Sequence, residues 1–324
     1  MPQEAVCGGC HHPTLVHSRG GGCHQGAALC GERIEPVYQP RRPVVDTRVQ
    51  QHAGAVDGEA EREEEEMIEL NRIYNEDCLE GMKRIPDGAV HCVITSPPYN
   101  VDLGNNKYNK FGYGQHEDDL PHEEYLRWMK SVFQECYRVL SSDGRICVNI
   151  GDGRNGKIPT HADFIYLLRK MGFKPITTII WNKNNTSNRC AWGSYLSAKA
   201  PSFPRSFEYI LVFGKSDSLE RNGETTVTKE EWKQYTNGLW TFSPEKYQKK
   251  IGHPAMFPVE LPSRLIQMIT YKNDVILDPF MGSGTTAIAA IRTKRNFIGF
   301  ELQKEYFDIA CKRVREERMQ LSLF

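Results

Sequence analysis

Apolar residues fall along this chain in two alternating kinds of run. Short stretches rich in β-branched and aromatic residues, Asn71–Tyr74, Val90–Thr95, Arg145–Ile150, Ile176–Trp181, Glu208–Phe213, Val275–Leu277 and Asn296–Phe300, read as strands. Between them, apolar side chains recur every three or four residues over Leu79–Arg84, His122–Val139, Ala162–Met171, Glu260–Tyr271, Thr285–Thr293 and Lys304–Met319, which read as helices. Strand and helix alternate, so the pattern predicts an α/β fold: a mostly parallel, doubly wound sheet with helices on both faces. Two polar stretches, 182–205 and 214–252, interrupt the alternation and are too long for plain connections. They predict functional loops or a small inserted subdomain.

The first 66 residues depart from this pattern. They are rich in Gly, Pro, Arg, His and Gln, lack apolar periodicity and end in a run of glutamates, which predicts a disordered extension. Composition changes abruptly at Met67, and a glutamate run ahead of a methionine is what a purine-rich ribosome-binding site encodes when translated. Residues 1–66 are therefore expected to be an over-extended reading frame, and 67–324 the working domain. The chain is neutral overall, but the leading segment carries net −5 and the remainder net +5. That excess permits an anionic partner without specifying one.

Cys7, Cys10, His11, His12, Cys23, His24 and Cys30 offer zinc ligands, but their spacing matches no finger and little apolar sequence surrounds them. No metal is expected. Ten cysteines in 324 residues are too few for a disulfide framework, so those from Cys78 onward are expected to be free thiols, mostly packed. No run approaches ~20 apolar residues, and the N-terminus lacks a basic-then-apolar signal pattern. The expected setting is cytoplasmic.

Asp278-Pro-Phe-Met-Gly-Ser-Gly-Thr-Thr286 follows the strand Val275–Leu277 and opens the helix at Thr285. Gly282 and Gly284 permit a tight turn and close backbone approach. Seventeen residues after Gly284, the next strand ends in Glu301, where a carboxylate can accept from both hydroxyls of a ribose. The loop has neither Gly-x-Gly-x-x-Gly nor a Gly-Lys-Ser/Thr ending, which favours a cofactor with a ribose but no phosphate. A bare turn beside a surface carboxylate would explain a lone Gly-x-Gly; it does not explain strand, turn, helix, strand and acid in order.

Thr95-Ser-Pro-Pro-Tyr-Asn100 follows the strand Val90–Ile94. Two prolines stiffen the backbone and remove two N–H donors, leaving the Ser96 hydroxyl and the Ser96 and Pro97 carbonyls as a rigid acceptor patch beside Tyr99. Such a patch suits alkylation of an aromatic exocyclic amine, a poor nucleophile because its lone pair is delocalised. Acceptors on both amino protons pull the nitrogen toward tetrahedral geometry and stabilise the charge that develops. Tyr99 is placed to stack on the base, and a base in a duplex has to flip out to arrive.

These two motifs resemble the signatures of the S-adenosylmethionine-dependent methyltransferases that modify DNA at cytosine N4 or adenine N6: a Ser/Asp/Asn-Pro-Pro-Tyr/Phe tetrapeptide, matched at Ser96, Pro97, Pro98 and Tyr99, and an Asp-Pro-Phe-x-Gly-Ser-Gly-Thr-Thr loop, matched at 278–286. The resemblance covers essentially all of 67–324. It implies a Rossmann-like methyltransferase sheet in the β-type, circularly permuted motif order, because the catalytic motif precedes the cofactor loop. It also implies that Asp278, Phe280, Gly282, Gly284 and Thr285 belong to the loop around the methionine part of S-adenosylmethionine, Glu301 to its ribose and Asp77 to its adenine. Pro254 and Phe257, in His253-Pro-Ala-Met-Phe-Pro258, resemble the segment that closes over the methionine end. The stretch 182–205, with Asn188–Ser194, resembles the loop facing DNA; 214–252, with Trp232, Tyr235, Trp240, Lys246, Lys249 and Lys250, takes the place of target recognition, with help from 105–115.

Ser at the head of the tetrapeptide favours cytosine N4 over adenine N6. Carbon-5 methylation is set aside, since no Pro-Cys pair occurs. The implied partners are double-stranded DNA and a cognate restriction endonuclease of the same system without direct contact, with the enzyme a monomer or homodimer. Two other readings stand beside this one: a non-catalytic DNA-binding protein with vestigial motifs, and an RNA or small-molecule methyltransferase on the same scaffold.

Overall fold

The computed structural model describes residues 68–100, 120–153, 156–184, 193–201, 203, 205–218, 220–245 and 256–321. All belong to the unit Arg62–Phe324. The 1–66 extension with its cysteines, and also 105–115, Asn188, Cys190, Trp192, Lys246, Lys249, Lys250, His253 and Pro254, lie outside the described residues.

Eight strands form one sheet: β1 (Arg72–Tyr74), β2 (Val90–Thr95), β3 (Leu140–Ile150), β4 (Lys174–Asn182), β5 (Phe207–Gly214), β6 (Leu239–Thr241), β7 (Val275–Asp278) and β8 (Asn296–Phe300), in the order β1-β8-β7-β2-β3-β5-β4-β6. Pairings are parallel except β3–β5 and β4–β5, so among these strands β5 alone runs against the rest. The helices are α1 (Cys78–Lys83), α2 (His122–Val139), α3 (Thr160–Lys170), α4 (Lys229–Tyr235), α5 (Glu260–Ile269), α6 (Thr285–Arg292) and α7 (Lys304–Leu321).

Alternation along the central strands divides the core in two, because successive side chains point to opposite faces. Val93, Ile146, Val148, Leu211 and Leu277 pack with Met82, Tyr125, Met129, Phe133 and Phe164 of α1, α2 and α3. Their neighbours Ile94, Cys147, Ile210, Val212 and Ile276 pack with Leu261, Leu265, Ala287, Ala290 and Ala310 of α5, α6 and α7. On α2 the buried residues Tyr125, Met129, Val132, Phe133, Cys136 and Val139 keep a three-or-four spacing, one stripe facing the sheet. Helix α6 is sandwiched between α5 and α7, and so is apolar on nearly every side. Cys78, Cys92, Cys136 and Cys147 are buried free thiols, and Cys311 is half-buried.

From β7 the chain winds through α6 to β8 and the β1 edge; from β2 it winds through α2 to β3 and the opposite edge. Windings diverge between β7 and β2, and the crevice outside their C-terminal ends is where an open α/β sheet binds ligands. Both sequence motifs sit there.

Two elements escaped the sequence pattern. Helix α4 has no buried residue, and β6 has one, Trp240. Strand β3 also begins at Leu140, ahead of the expected start at Arg145, because turn-type residues Ser141–Gly144 are carried in the strand; a register shift separates Val90↔Leu140 from Cys92↔Arg145. Among the described residues, no helix is long and apolar enough to cross a membrane.

Candidate active site

A cavity of about 320 Å³ lies at the crevice. Its wall includes Asp77, Ser96, Pro97, Pro98, Tyr99, Phe257, Phe280, Gly282, Thr285 and Glu301, so ten of the expected site residues meet in one place. Asp278 and Gly284 do not line it. They hold the loop from below: Asp278 accepts from the Phe280 N–H at 3.1 Å and from the Thr286 hydroxyl at 2.6 Å, and Gly284, at φ 83°, is the left-handed residue from which α6 starts. A Cβ on Gly284 would stand 3.1 Å from Cβ of Ala310, so packing against α7 also favours glycine there. Burial pushes the Asp278 carboxyl up to about 6, with the Thr286 hydroxyl pulling it back.

At the end of β8, Glu301 accepts from the Gly282 N–H and the Gln303 N–H, each at 2.8 Å. A carboxylate has about four lone-pair sites, and two remain for a ligand. Burial raises the Glu301 pKa. Asn75 fixes the same corner by donating to the Glu301 and Leu302 carbonyls at 2.8 and 3.0 Å. Asp77, at the end of β1, caps α1 by accepting from the Leu79 N–H at 2.7 Å while facing the cavity. Trp128 of α2 reaches in beside Phe280, with ring centroids 5.4 Å apart. Arg313 of α7 holds the Ser283 carbonyl at 2.6 Å, and the Ser283 hydroxyl donates to Met256 Sδ at 2.8 Å. A buried, anchored carboxylate, an aromatic shelf and a volume within the usual ~300–1,000 Å³ of small-molecule sites fit a ribose-bearing cofactor.

At the catalytic end, Pro98 is held by the Tyr125 hydroxyl, which donates to its carbonyl at 2.7 Å. The Tyr99 ring passes over Gly151, where a Cβ would stand 3.1 Å from Cε2. The Tyr99 hydroxyl donates to Glu208 Oε2 at 3.0 Å and accepts from Asn149 Nδ2 at 2.9 Å; Asn149 Nδ2 also donates to Glu208 Oε2 at 2.8 Å. Lys183 closes the network with an ion pair to Glu208 Oε1, its ammonium 5.3 Å from the Trp181 ring centroid. Asn149, Lys183, Glu208 and Trp181 all line the cavity. The sequence reading did not single them out as site residues; its signal was a carboxylate and an amide set inside otherwise apolar strands, Glu208 in β5 and Asn149 in β3.

The two polar stretches end in different places. The 182–205 stretch starts and finishes at the cavity rim, where the Lys183 N–H donates to the Ser206 carbonyl at 2.7 Å. By contrast β5 runs backwards, so its end, Gly214, pairs with Arg145 at the start of β3. Arg221 beyond it forms ion pairs with Asp143 and Asp274, just ahead of β7. That part of 214–252 therefore lies at the opposite end of the sheet from the cavity. Of its aromatics, Trp240 is buried and Tyr235 half-buried, both against the Arg264 guanidinium, and Trp232 is exposed.

A doubly wound sheet whose switch point joins a ribose-type carboxylate and glycine loop to a rigid Ser-Pro-Pro-Tyr patch defines a Rossmann-like S-adenosylmethionine-dependent methyltransferase. Residues 90–312 match the family model of the N6/N4 DNA methylases. The chain belongs to that family; it is a DNA methyltransferase, and S-adenosylmethionine is its methyl donor. It is 42% identical over 173 residues to the type II methyltransferase M.MjaVI of Methanocaldococcus jannaschii, covering 52% of this chain and 85% of that one. To the type II methyltransferase M.BglII of Bacillus subtilis it is 31% identical over 265 residues, 74% of this chain and 68% of the other. In structure it is similar to the DNA modification methylase TTHA0409 of Thermus thermophilus in complex with S-adenosyl-L-methionine, with a TM-score of 0.59, 30% identity and coverage of 76% of this chain and 93% of that one.

Proposed function

We propose that the enzyme methylates the N4 amine of a cytosine flipped out of duplex DNA, with adenine N6 as the alternative target. The observation that carries the reading is the meeting of Ser96–Tyr99 with the Phe280–Thr285 loop and Glu301 in one cavity. S-adenosylmethionine supplies the methyl group when bound. Glu301 takes the ribose hydroxyls on its two remaining lone-pair sites, Asp77 faces the adenine, and Phe280, Gly282, Thr285, Phe257 and Pro254 enclose the methionine end. Asp278 and Gly284 serve by shaping the loop. Ser96 and the Pro97 carbonyl accept from the amine, the two prolines keep those acceptors fixed, and Tyr99 stacks on the base. Ser rather than Asp at position 96 supports cytosine.

The setting we infer is the cytoplasm, with the enzyme protecting host DNA against a cognate restriction endonuclease; the type II methyltransferases among its relatives support this. Mass spectrometry of nucleosides from DNA incubated with the protein and S-adenosylmethionine tests the assignment. N4-methylcytosine is expected. N6-methyladenine would move the target to adenine with the same site, and absence of both from a folded, cofactor-binding protein would overturn the DNA reading.

A further inference from the structure

Methylation of an exocyclic amine leaves a proton to be disposed of, and the cavity wall contains a directed route for it. Three hydrogen bonds define the direction. Glu208, ion-paired with Lys183, is an acceptor at Oε2, so the Tyr99 hydroxyl must donate to it across 3.0 Å. That uses the one proton Tyr99 has. Asn149 Nδ2 then donates to the Tyr99 oxygen at 2.9 Å, and the remaining neighbour, the Ser96 hydroxyl at 3.3 Å, must donate to the same oxygen. The Ser96 oxygen is left as an acceptor toward the cavity, where the amine arrives. The chain amine N–H, Ser96, Tyr99, Glu208 thus points one way, from the cavity to a buried carboxylate.

We propose that Ser96 and Tyr99 relay the amine proton to Glu208, an inference that rests on the amino-methylation reading above. As the N–CH3 bond forms and the donor's S–CH3 bond breaks, the nitrogen becomes cationic and a strong acid. Its proton passes to Ser96 Oγ, the Ser96 proton to Tyr99 Oη, and the Tyr99 proton to Glu208 Oε2. Both hydroxyls end neutral, Glu208 ends protonated, and the amine keeps the methyl group. Lys183 and Asn149 act as positioning residues: they hold the carboxylate against the phenol before the step. After product leaves, Glu208 returns its proton to water in the opened cavity. Tyr99 therefore has a second task besides stacking, and its hydroxyl is the part that performs it.

The test uses full-length protein, unmethylated long duplex DNA of mixed sequence and tritium-labelled S-adenosylmethionine under single-turnover conditions. Wild-type transfer is read first; its absence overturns the methylation reading itself and separates that failure from failure of the relay. Tyr99→Phe keeps the ring and removes the hydroxyl, and Glu208→Gln keeps the shape and removes the proton acceptor. Each is expected to slow transfer by about 100-fold, the usual scale of a positioned acid or base, while cofactor affinity by calorimetry stays within about twofold of wild type. Because both sit on one chain, the double variant is expected to be no slower than the worse single, within about twofold. Wild-type rate in Tyr99→Phe overturns the relay, as do losses that multiply in the double variant. Loss of cofactor affinity in Glu208→Gln marks a structural role and also overturns it. If Glu208→Gln does not fold, Tyr99→Phe decides alone, since its ring and packing are unchanged.

Discussion

Two carboxylates at the cofactor end answer to different physics. Asp278 is buried beneath the loop, and its pKa of about 6 lies above the ordinary 3.8. Between those values the folded protein holds a proton that the unfolded chain releases, so this group stabilises the fold below about pH 4. The contribution is lost as pH rises through 6, up to ~3 kcal/mol at ~1.4 kcal/mol per unit. Asp278→Asn mimics the protonated form, accepting from Phe280 and donating to Thr286. Thermal unfolding from pH 4 to 7 is expected to show the variant gaining on wild type as pH rises; a constant difference would count against the buried carboxyl. Glu301 instead faces the cavity with two lone-pair sites open. Glu301→Ala is expected to weaken cofactor binding about 10- to 100-fold, the loss of one or two hydrogen bonds to a charged group. Ser96→Ala is expected to leave that affinity unchanged while turnover falls. Calorimetry with S-adenosylmethionine separates the two.

At the scale of elements, what was legible in the sequence was whatever buries apolar surface. Every long periodic run became the expected element because each faces one of the two core layers. Helix α4 lacked that signal, but Thr228-Lys-Glu-Glu231 is a capping box, with the Glu231 N–H donating to the Thr228 hydroxyl at 3.2 Å and Glu231 accepting from the Thr228 N–H at 2.8 Å. Its purpose is to deliver β6. There Trp240 is 2% exposed and, with Tyr235 and Phe242, encloses the Arg264 guanidinium at 4.7–5.3 Å from the ring centroids. The aromatic and basic residues that looked suited to a DNA groove are thus partly core. Trp240→Ala is expected to lower stability by about 3–5 kcal/mol in urea unfolding, the range for a buried Trp, with cofactor affinity unchanged at the folded plateau. Sheet order and the reversal of β5 were not legible, because periodicity reports burial and carries no information on neighbours. The same gap hid Glu208, which reaches Tyr99 only because β5 lies beside β3.

For the whole molecule, the reversal of β5 decides which surface meets DNA. It sends 214–226 to the far end of the sheet and leaves the stretch between Lys183 and Ser206 at the mouth of the cavity. In that stretch Gly193 pairs with Pro201, the Ser194 hydroxyl donates to the Ser197 carbonyl at 2.8 Å, and Tyr195 and Leu196 stand 65% and 90% exposed. Leu196 sits at φ 52°, a left-handed conformation that an apolar side chain adopts at some cost. A braced turn that holds large apolar side chains in water beside a base-sized cavity suits contact with an opened base step. Replacing Tyr195 and Leu196 together by glycine removes both side chains and relaxes the backbone at 196, so folding is preserved. Transfer to duplex DNA is then expected to fall ~10-fold or more, on the ~1–3 kcal/mol that one stacked base contributes, with cofactor affinity unchanged. Arg221→Ala at the far end is the complementary case. It leaves the buried carboxylates Asp143 and Asp274 without their cation, so stability is expected to drop by about 3–5 kcal/mol while KM for DNA stays the same. If the far-end variant raised KM and the loop variant did not, DNA would approach from the other side of the sheet.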